Sequence, residues 1–169
     1  MGITNETQHS HVEVAQNQLE LVLSFFPRVD TLLAAILGLD VAMLGVAFAR
    51  APALSQFTCA QALVTLAFLG ASLMSFTQLY RGSFPNTDGG VGSLIFFQEV
   101  AKLQPSDYVQ RFRALSSEQL SADLLHQAWR NSCILTAKFA ALKRSYRWLL
   151  ASAVPWALAL LLCPPSKAV

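Results

Sequence analysis

The chain has 169 residues, of which 54% are hydrophobic and 13% are charged, and its net charge is +2. Soluble globular domains carry roughly twice that charged fraction, about 25%. The near-neutral balance excludes a strongly basic nucleic-acid binder and a disordered acidic tail. The three cysteines, Cys59, Cys133 and Cys163, form no CxxC pair, which argues against zinc ribbons, thioredoxin motifs and a disulfide framework. The composition therefore indicates a small membrane protein.

The N-terminal arm predicts an amphipathic helix over residues 10–26. Apolar side chains recur there at helical spacing, at Val12, Ala15, Leu19, Val22 and Phe26. Pro27 is expected to bend or interrupt this helix before the first apolar stretch.

Three apolar stretches follow, over residues 31–49, 57–79 and 148–163. The first contains one charge, Asp40, and the other two contain none. A spanning helix needs about 20 apolar residues, so the first two qualify. The third, with 16 residues, also suits a buried core helix, although no soluble core remains for it to join. We therefore predict three spans.

Cations are concentrated between the second and third stretches. Residues 80–147 hold nine of them: Arg81, Lys102, Arg111, Arg113, Arg130, Lys138, Lys143, Arg144 and Arg147. The arm, the 50–56 loop and the tail hold one each. The positive-inside rule makes residues 1–30 and 80–147 cytoplasmic, residues 31–79 a two-span hairpin, 148–163 a third span and 164–169 a short external tail.

The predicted cytoplasmic segment opens with a glycine-rich loop over residues 82–92. Ser93 is expected to cap a short helix over residues 93–103, and a second short helix is predicted over 106–115. Pro105 separates the two.

Ser116 and Gln119 form a capping box, S-x-x-Q, at the start of a longer helix. Apolar positions recur at helical spacing from Leu124 to Leu149, and the pattern continues to about Leu162. Pro155 is expected to kink this helix without ending it. The predicted fold is therefore an all-α membrane protein, with an N-terminal amphipathic helix, a transmembrane hairpin and a cytoplasmic helical segment that continues as one long helix into the third span.

No motif for catalysis or metal binding is present. The sequence has no P-loop lysine, no GxSxG, no HExxH and no kinase signature. His126 is alone on a polar helix face. We expect no enzyme activity, no catalytic residue, no metal and no cofactor.

Asp40 lies in the middle of the first apolar stretch. An ionisable side chain within a span is costly unless it faces protein or water, so Asp40 is a candidate for membrane gating. The alternative is a protonated carboxyl that bonds a neighbouring helix, with Ser72 or Gln78 as partner.

Small residues recur every four positions within the spans, at Gly38/Ala42, Gly45/Ala49, Ala67/Ala71/Ser75 and Ala153/Ala157. Such faces let helices approach closely. They indicate either packing within one chain or contacts in a homo-oligomer.

Aromatic side chains accompany the arginines of residues 80–147, at Phe96, Phe97, Tyr108 and Trp129. Rings stack on planar bases and guanidinium groups pair with phosphate, so this combination suits a planar anionic ligand. The glycine-rich loop before Ser93 also offers N–H groups to a phosphate. Alternatively, the phenylalanines belong to the core and the arginines are solvated or contact lipid headgroups.

The arrangement resembles the membrane effectors of bacterial Pycsar antiphage systems, the PycTM type, over roughly Val12 to Cys163. The resemblance rests on LGLDVAMLG in the first span, on SLIFFQEVAKLQPSDYVQRFRALSSEQLSADL with its FF and Tyr108, and on NSCILTAKFAALKRSYRWLL leading into the last span. It implies that a separate cyclase supplies cyclic CMP or cyclic UMP. The effector then impairs the inner membrane and arrests growth before phage release, as in abortive infection.

A nucleotide ligand gives the candidate residues the following roles. Arg111 or Arg130, helped by Ser93, would meet the phosphate, and Phe97 or Tyr108 would stack on the base. Gln127 or Asn131 would bond the pyrimidine edge. The alternative function is a non-enzymatic membrane scaffold or subunit that docks a protein partner through residues 80–147.

Overall fold

The computed structural model describes residues 2–52, 57–84 and 90–162, with side chains from Ser10 onward. These residues form helices and no strand, so the predicted all-α fold is confirmed. The helices are α1 Gly2–Ser24, α2 Phe26–Ala49, α3 Cys59–Ser83, α4 Phe97–Val100, α5 Pro105–Arg113 and α6 Ser117–Leu162. The chain divides into two compact units. Unit 1 comprises Met1–Arg28 and Asn86–Thr136, and unit 2 comprises Val29–Pro85 and Ala137–Val169.

The core of unit 1 joins α1 to the first part of α6. Ala15 and Leu19 of α1 are buried with Leu124 and Ala128 of α6. Partly buried side chains pack around them, namely Val12, Ile95 and Leu120. The predicted apolar face of the arm is therefore the face that α1 buries.

The interruption predicted near Pro27 is present. Helix α1 ends at Ser24, Phe25 forms a turn, and α2 begins at Phe26. Pro27 is thus in the first turn of α2, where its missing N–H would have no partner within the helix.

The first short helix between α3 and α6 is shorter than the sequence prediction. Only Phe97–Val100 is helical in the segment predicted as a helix over residues 93–103. Residues 94–96 form bends, and the side chain of Ser93 accepts the N–H groups of Ile95 and Phe96 there.

The capping box of the long helix is confirmed. The backbone N–H of Gln119 donates to Ser116 Oγ at 3.2 Å, and the N–H of Ser116 donates to Gln119 Oε1 at 3.0 Å. Helix α6 then runs from Ser117 to Leu162 with Pro155 inside it, as predicted.

Unit 2 is a bundle of α2, α3 and the later part of α6. Lys138 pairs with Asp30, and Trp156 Nε1 donates to the carbonyl of Met43 at 2.9 Å, so α2 and α6 run parallel. Helix α3 is antiparallel to both, because Gln61 near its start donates to the carbonyl of Leu162 at 2.7 Å.

By length and composition, three helical stretches of the described chain are able to cross a membrane. They are Ser10–Ala49, which contains α1 from Ser10 together with α2, then Cys59–Ser83 and Ser117–Leu162. These stretches contain residues 31–49, 59–79 and 148–162 of the three spans expected from the sequence, and Cys163 lies outside the described residues. The predicted sidedness and segment boundaries stay predictions, and the predicted tail over residues 164–169 lies outside the described residues.

The small-residue faces have different environments. A Cβ added to Gly38 or Gly45 would meet no atom of the described residues within 4 Å beyond its own helical surroundings, so packing among these residues does not use the two positions. Ser75, in contrast, is fully buried in unit 2.

Candidate functional site

All seven predicted ligand-binding residues lie in unit 1. They do not converge on one point. Ser93, Gln127 and Asn131 belong to a polar network, whereas Phe97 and Tyr108 line a separate aromatic cavity.

Ser93 is the centre of the polar network. Its Oγ donates to Asp123 Oδ2 at 3.0 Å and accepts from Gln127 Nε2 at 3.1 Å. The same oxygen accepts the backbone N–H groups of Ile95 and Phe96. Because a serine hydroxyl has one proton, Ser93 would have to leave Asp123 before it could donate to a phosphate. In this structure Ser93 holds the loop in place.

Asp123 is a member of the site that the sequence reasoning missed. Its Oδ2 accepts both the Ser93 hydroxyl and the backbone N–H of Leu94, at 3.1 Å. Thirty positions separate Asp123 from Ser93, and no spacing rule links them. This carboxylate also places negative charge beside Ser93, which disfavours an anion there.

The turn before Ser93 depends on Gly90. Gly90 has a φ of +73°, and a Cβ at this position would lie 2.8 Å from a ring carbon of Phe96. Any other residue would be strained there. Gly92 is also held by a hydrogen bond, because its N–H donates to Glu99 Oε2 at 3.3 Å. Hydrogen bonds from Lys102 and then from Gly92 hold the pKa of Glu99 below its ordinary value.

The aromatic cavity has a volume of about 490 Å³. Phe97, Tyr108 and Phe112 supply its rings, and Gln16 of α1 supplies one polar side chain. The rings of Tyr108 and Phe112 are 5.8 Å apart on neighbouring turns of α5. Phe112 and Gln16 were missed from the sequence, although the Tyr108–Phe112 spacing of four residues predicts two rings on one helix face.

The predicted phosphate ligands occupy two places. Arg111 lies on α5, three residues after Tyr108, and is exposed. The guanidinium of Arg130 lies 5.1 Å from the centre of the Phe96 ring. Phe96 in turn contacts Phe97, with ring centres 5.0 Å apart. Arg130 is therefore separated from Phe97 by one aromatic ring.

Gln127 and Asn131, the two candidates for binding the base edge, both form hydrogen bonds within the protein. Gln127 is buried and bonded to Ser93, and Asn131 Nδ2 donates to the backbone carbonyl of Gln127 at 2.9 Å. Asn131 is thus bonded to its own helix.

Asp40 is buried in unit 2, with 1% of its surface exposed. Ser75 Oγ donates to Asp40 Oδ2 at 2.6 Å, so the partner is Ser75 and not Ser72 or Gln78. Asp40 Oδ1 has no hydrogen-bond partner among the described residues, and the same holds for Ser72 Oγ and Gln78 Oε1.

The Ser75 hydroxyl lies between two acceptors. It is 2.6 Å from Asp40 Oδ2 and 3.3 Å from the backbone carbonyl of Ser145. With an ionised carboxylate, the serine proton goes to Asp40. With a protonated carboxyl, Asp40 can donate to Ser75, and the serine proton can turn to Ser145. The Ser75 hydroxyl can therefore hydrogen-bond Asp40 Oδ2 in either protonation state, while Asp40 Oδ1 stays without a partner among the described residues.

The fold and these two sites define a class: a small all-helical membrane protein with a polar group buried among its apolar helices and a second helical unit that carries an aromatic cavity. The chain belongs to the PycTM family, because the family model for the Pycsar effector protein domain matches residues 14–163. Membership identifies an antiphage membrane effector, in a system whose signal is a cyclic nucleotide made by a cyclase. No curated protein and no solved structure matches the chain.

Proposed function

We propose that this effector binds a cyclic pyrimidine nucleotide, cyclic UMP or cyclic CMP, in unit 1 and in response impairs the inner membrane, which arrests growth and aborts infection. It acts without enzyme chemistry and without a cofactor. The observation that carries the proposal is the aromatic cavity lined by Phe97, Tyr108 and Phe112. Its volume of about 490 Å³ lies within the range of small-molecule sites, about 300–1,000 Å³.

The base of the nucleotide would stack on Phe97 or Tyr108, and Arg111 would meet the phosphate. Arg111 is suited to this role because it follows Tyr108 by three residues and so lies near the same face of α5. Arg130 would act from the far side of the Phe96 ring. Ser93, Gln127 and Asn131 would support the cavity by fixing the loop that carries Phe97, or would contact the base edge after rearrangement.

Asp40 is the proposed gating residue of unit 2. A carboxyl that is 1% exposed and has one unpartnered oxygen among the described residues is unstable as an anion unless water or protein reaches it. Repacking of the spanning helices, within a homo-oligomer, would supply that water and open a path. The exposed small residues Gly38 and Gly45 leave room for such contacts.

Nucleotide binding to purified full-length protein tests the sensing step. Calorimetric titrations with cyclic UMP, cyclic CMP and cyclic AMP are compared, and a pyrimidine nucleotide is expected to bind most tightly. Phe97→Ala is expected to weaken binding by about ten-fold, from the roughly 1–3 kcal/mol of one stacked base. Trp129→Ala is the matched control, since Phe97 and Trp129 are both 65% exposed but Trp129 does not line the cavity.

Arg111→Gln and Arg113→Gln form a second matched pair on α5. Both arginines are exposed, but Arg113 follows Tyr108 by five residues and so points about 140° away from it around the helix. Only Arg111→Gln should weaken binding. Equal affinity in both variants would remove Arg111 from the site.

A docking scaffold is the second candidate function. Phe97, Val109 and Phe112 are exposed large apolar side chains of the same unit, which favours contact with a protein partner. This reading predicts that none of the three nucleotides binds the purified protein.

A further inference from the structure

An apolar groove runs between the parallel helices α2 and α6 of unit 2. Its volume is about 500 Å³. Eight of its nine lining residues are uncharged and the ninth is Lys143; the full lining is Leu32, Ala35, Ile36, Leu39, Phe139, Leu142, Lys143, Tyr146 and Leu149. The α2 side extends from Leu32 to Leu39, which is about 10 Å of helix.

Lys143 lies beside apolar residues of α2, although the sequence analysis assigns it to the predicted cytoplasmic segment, residues 80–147. Lys138 is level with Asp30, because their side chains form an ion pair. Lys143 is five residues further along α6, about 7.5 Å at 1.5 Å per residue. It therefore lies alongside the apolar beginning of α2, and it lines the groove with Leu32 and Ile36.

Among the residues that the structure describes, Lys143 has no carboxylate partner. The ion pairs of the described residues are Lys102–Glu99 and Lys138–Asp30. A cation beside the apolar part of a spanning helix is costly unless an anion or water meets it. A lysine side chain can extend its ammonium along apolar surface to reach such an anion at the membrane interface.

We propose that the groove binds an anionic phospholipid, with an acyl chain between α2 and α6 and the headgroup phosphate on the Lys143 ammonium. The apolar lining fits a hydrocarbon chain, and the one charged lining residue has the sign that a phosphate requires. This binding does not depend on the nucleotide.

A second copy of the chain fits the groove less well. The acidic residues of unit 2 among those described are Asp30 and Asp40. Asp30 is paired with Lys138 and Asp40 is buried, so the described part of unit 2 in another copy offers Lys143 no exposed, unpaired acidic side chain.

Lipid retention by the full-length protein tests the proposal. The protein is purified in a neutral detergent and titrated with phosphatidylglycerol, with phosphatidylcholine or with water-soluble glycerophosphoglycerol, and bound lipid is counted by native mass spectrometry. Phosphatidylglycerol is expected to bind. Phosphatidylcholine should bind several-fold more weakly, and the soluble headgroup should not bind, because it lacks the acyl chain.

Two matched pairs locate the binding. Lys143→Gln should weaken phosphatidylglycerol binding about five-fold, from the roughly 1 kcal/mol of one cation at a lipid surface. Arg144→Gln should change it much less, because Arg144 does not line the groove. Ala35→Phe should fill the groove and reduce binding, while Ala42→Phe, on an exposed position of α2, should not.

Circular dichroism confirms folding before each titration. Equal binding of the two lipids overturns the proposal, as does equal loss in Lys143→Gln and Arg144→Gln. If Ala35→Phe abolishes a dimer while leaving lipid binding unchanged, the groove holds a second copy and the proposal is also overturned.

Discussion

Removing the hydroxyl of Ser93 is expected to favour local opening of the segment that leads from Ser93 into α4 in unit 1. In Ser93→Ala, the N–H groups of Ile95 and Phe96 lose the side chain that caps them, which costs about 0.5–2 kcal/mol by analogy with helix caps. The amide of Gln127, which is 3% exposed, also loses its Ser93 acceptor, at a cost of about 1–3 kcal/mol for a buried unsatisfied donor. Together these losses favour local opening by about 3 kcal/mol.

Hydrogen exchange of the full-length protein in detergent measures this opening directly. At 1.36 kcal/mol per factor of ten, about 3 kcal/mol corresponds to roughly 100-fold faster exchange of the protected amides in residues 93–100. Ser116→Ala is the matched control. It removes an exposed cap that no buried side chain shares, so exchange at the start of α6 should rise only about five-fold, for about 1 kcal/mol.

A double variant separates the two contributions. Gln127→Met, introduced into Ser93→Ala, replaces the stranded amide with an apolar side chain of similar size and should recover part of the lost protection. If Ser93→Ala accelerates exchange no more than Ser116→Ala does, or if Gln127→Met recovers nothing, the network does not hold the loop as described.

Three further expectations concern unit 2 and the topology. Asp30→Asn should destabilise the protein by about 1–3 kcal/mol, because it removes the carboxylate from the buried Lys138 ammonium, whereas Lys138→Met should lower Tm less; a larger drop for Lys138→Met in thermal unfolding would contradict this. Asp40→Asn should leave nucleotide binding intact and reduce nucleotide-triggered depolarisation in cells. If cells with this variant depolarise and resist phage as wild type does, Asp40 is only a packing residue. Reporter fusions at Gly90 and after Val169 should report opposite sides of the membrane, and a common side would refute the three-span topology.

The helices could be predicted because their signals are local. The capping box of Ser116 and Gln119, the apolar spacing of the arm and the break before Pro27 each depend on residues within one or two turns. The predicted helix from Ser93 was too long. A serine side chain that accepts the N–H groups two and three residues on can cap a helix or hold a turn, and sequence spacing does not show which of the two forms.

The sites could be predicted only in part. Phe97 and Tyr108 were named as stacking candidates, and they line one cavity. Asp123 and Gln16 were missed, because their partners come from elements far apart in the sequence. For the same reason, the sequence marked Asp40 as unusual but gave Ser72 or Gln78 as its partner, whereas the partner is Ser75, buried on α3 three residues from Ser72.

In the proposed function, a cyclic pyrimidine nucleotide binds this chain, and the chain then impairs the membrane in which it lies. Proteoliposomes containing only the full-length protein, with a potassium diffusion potential imposed and reported by a voltage-sensitive dye, test both steps together. Addition of cyclic UMP or cyclic CMP to both sides should dissipate the potential in wild type and in Trp129→Ala, and should do so much less in Phe97→Ala, while cyclic AMP should have little effect. A potential that persists with every nucleotide, or that collapses equally without one, would contradict the account.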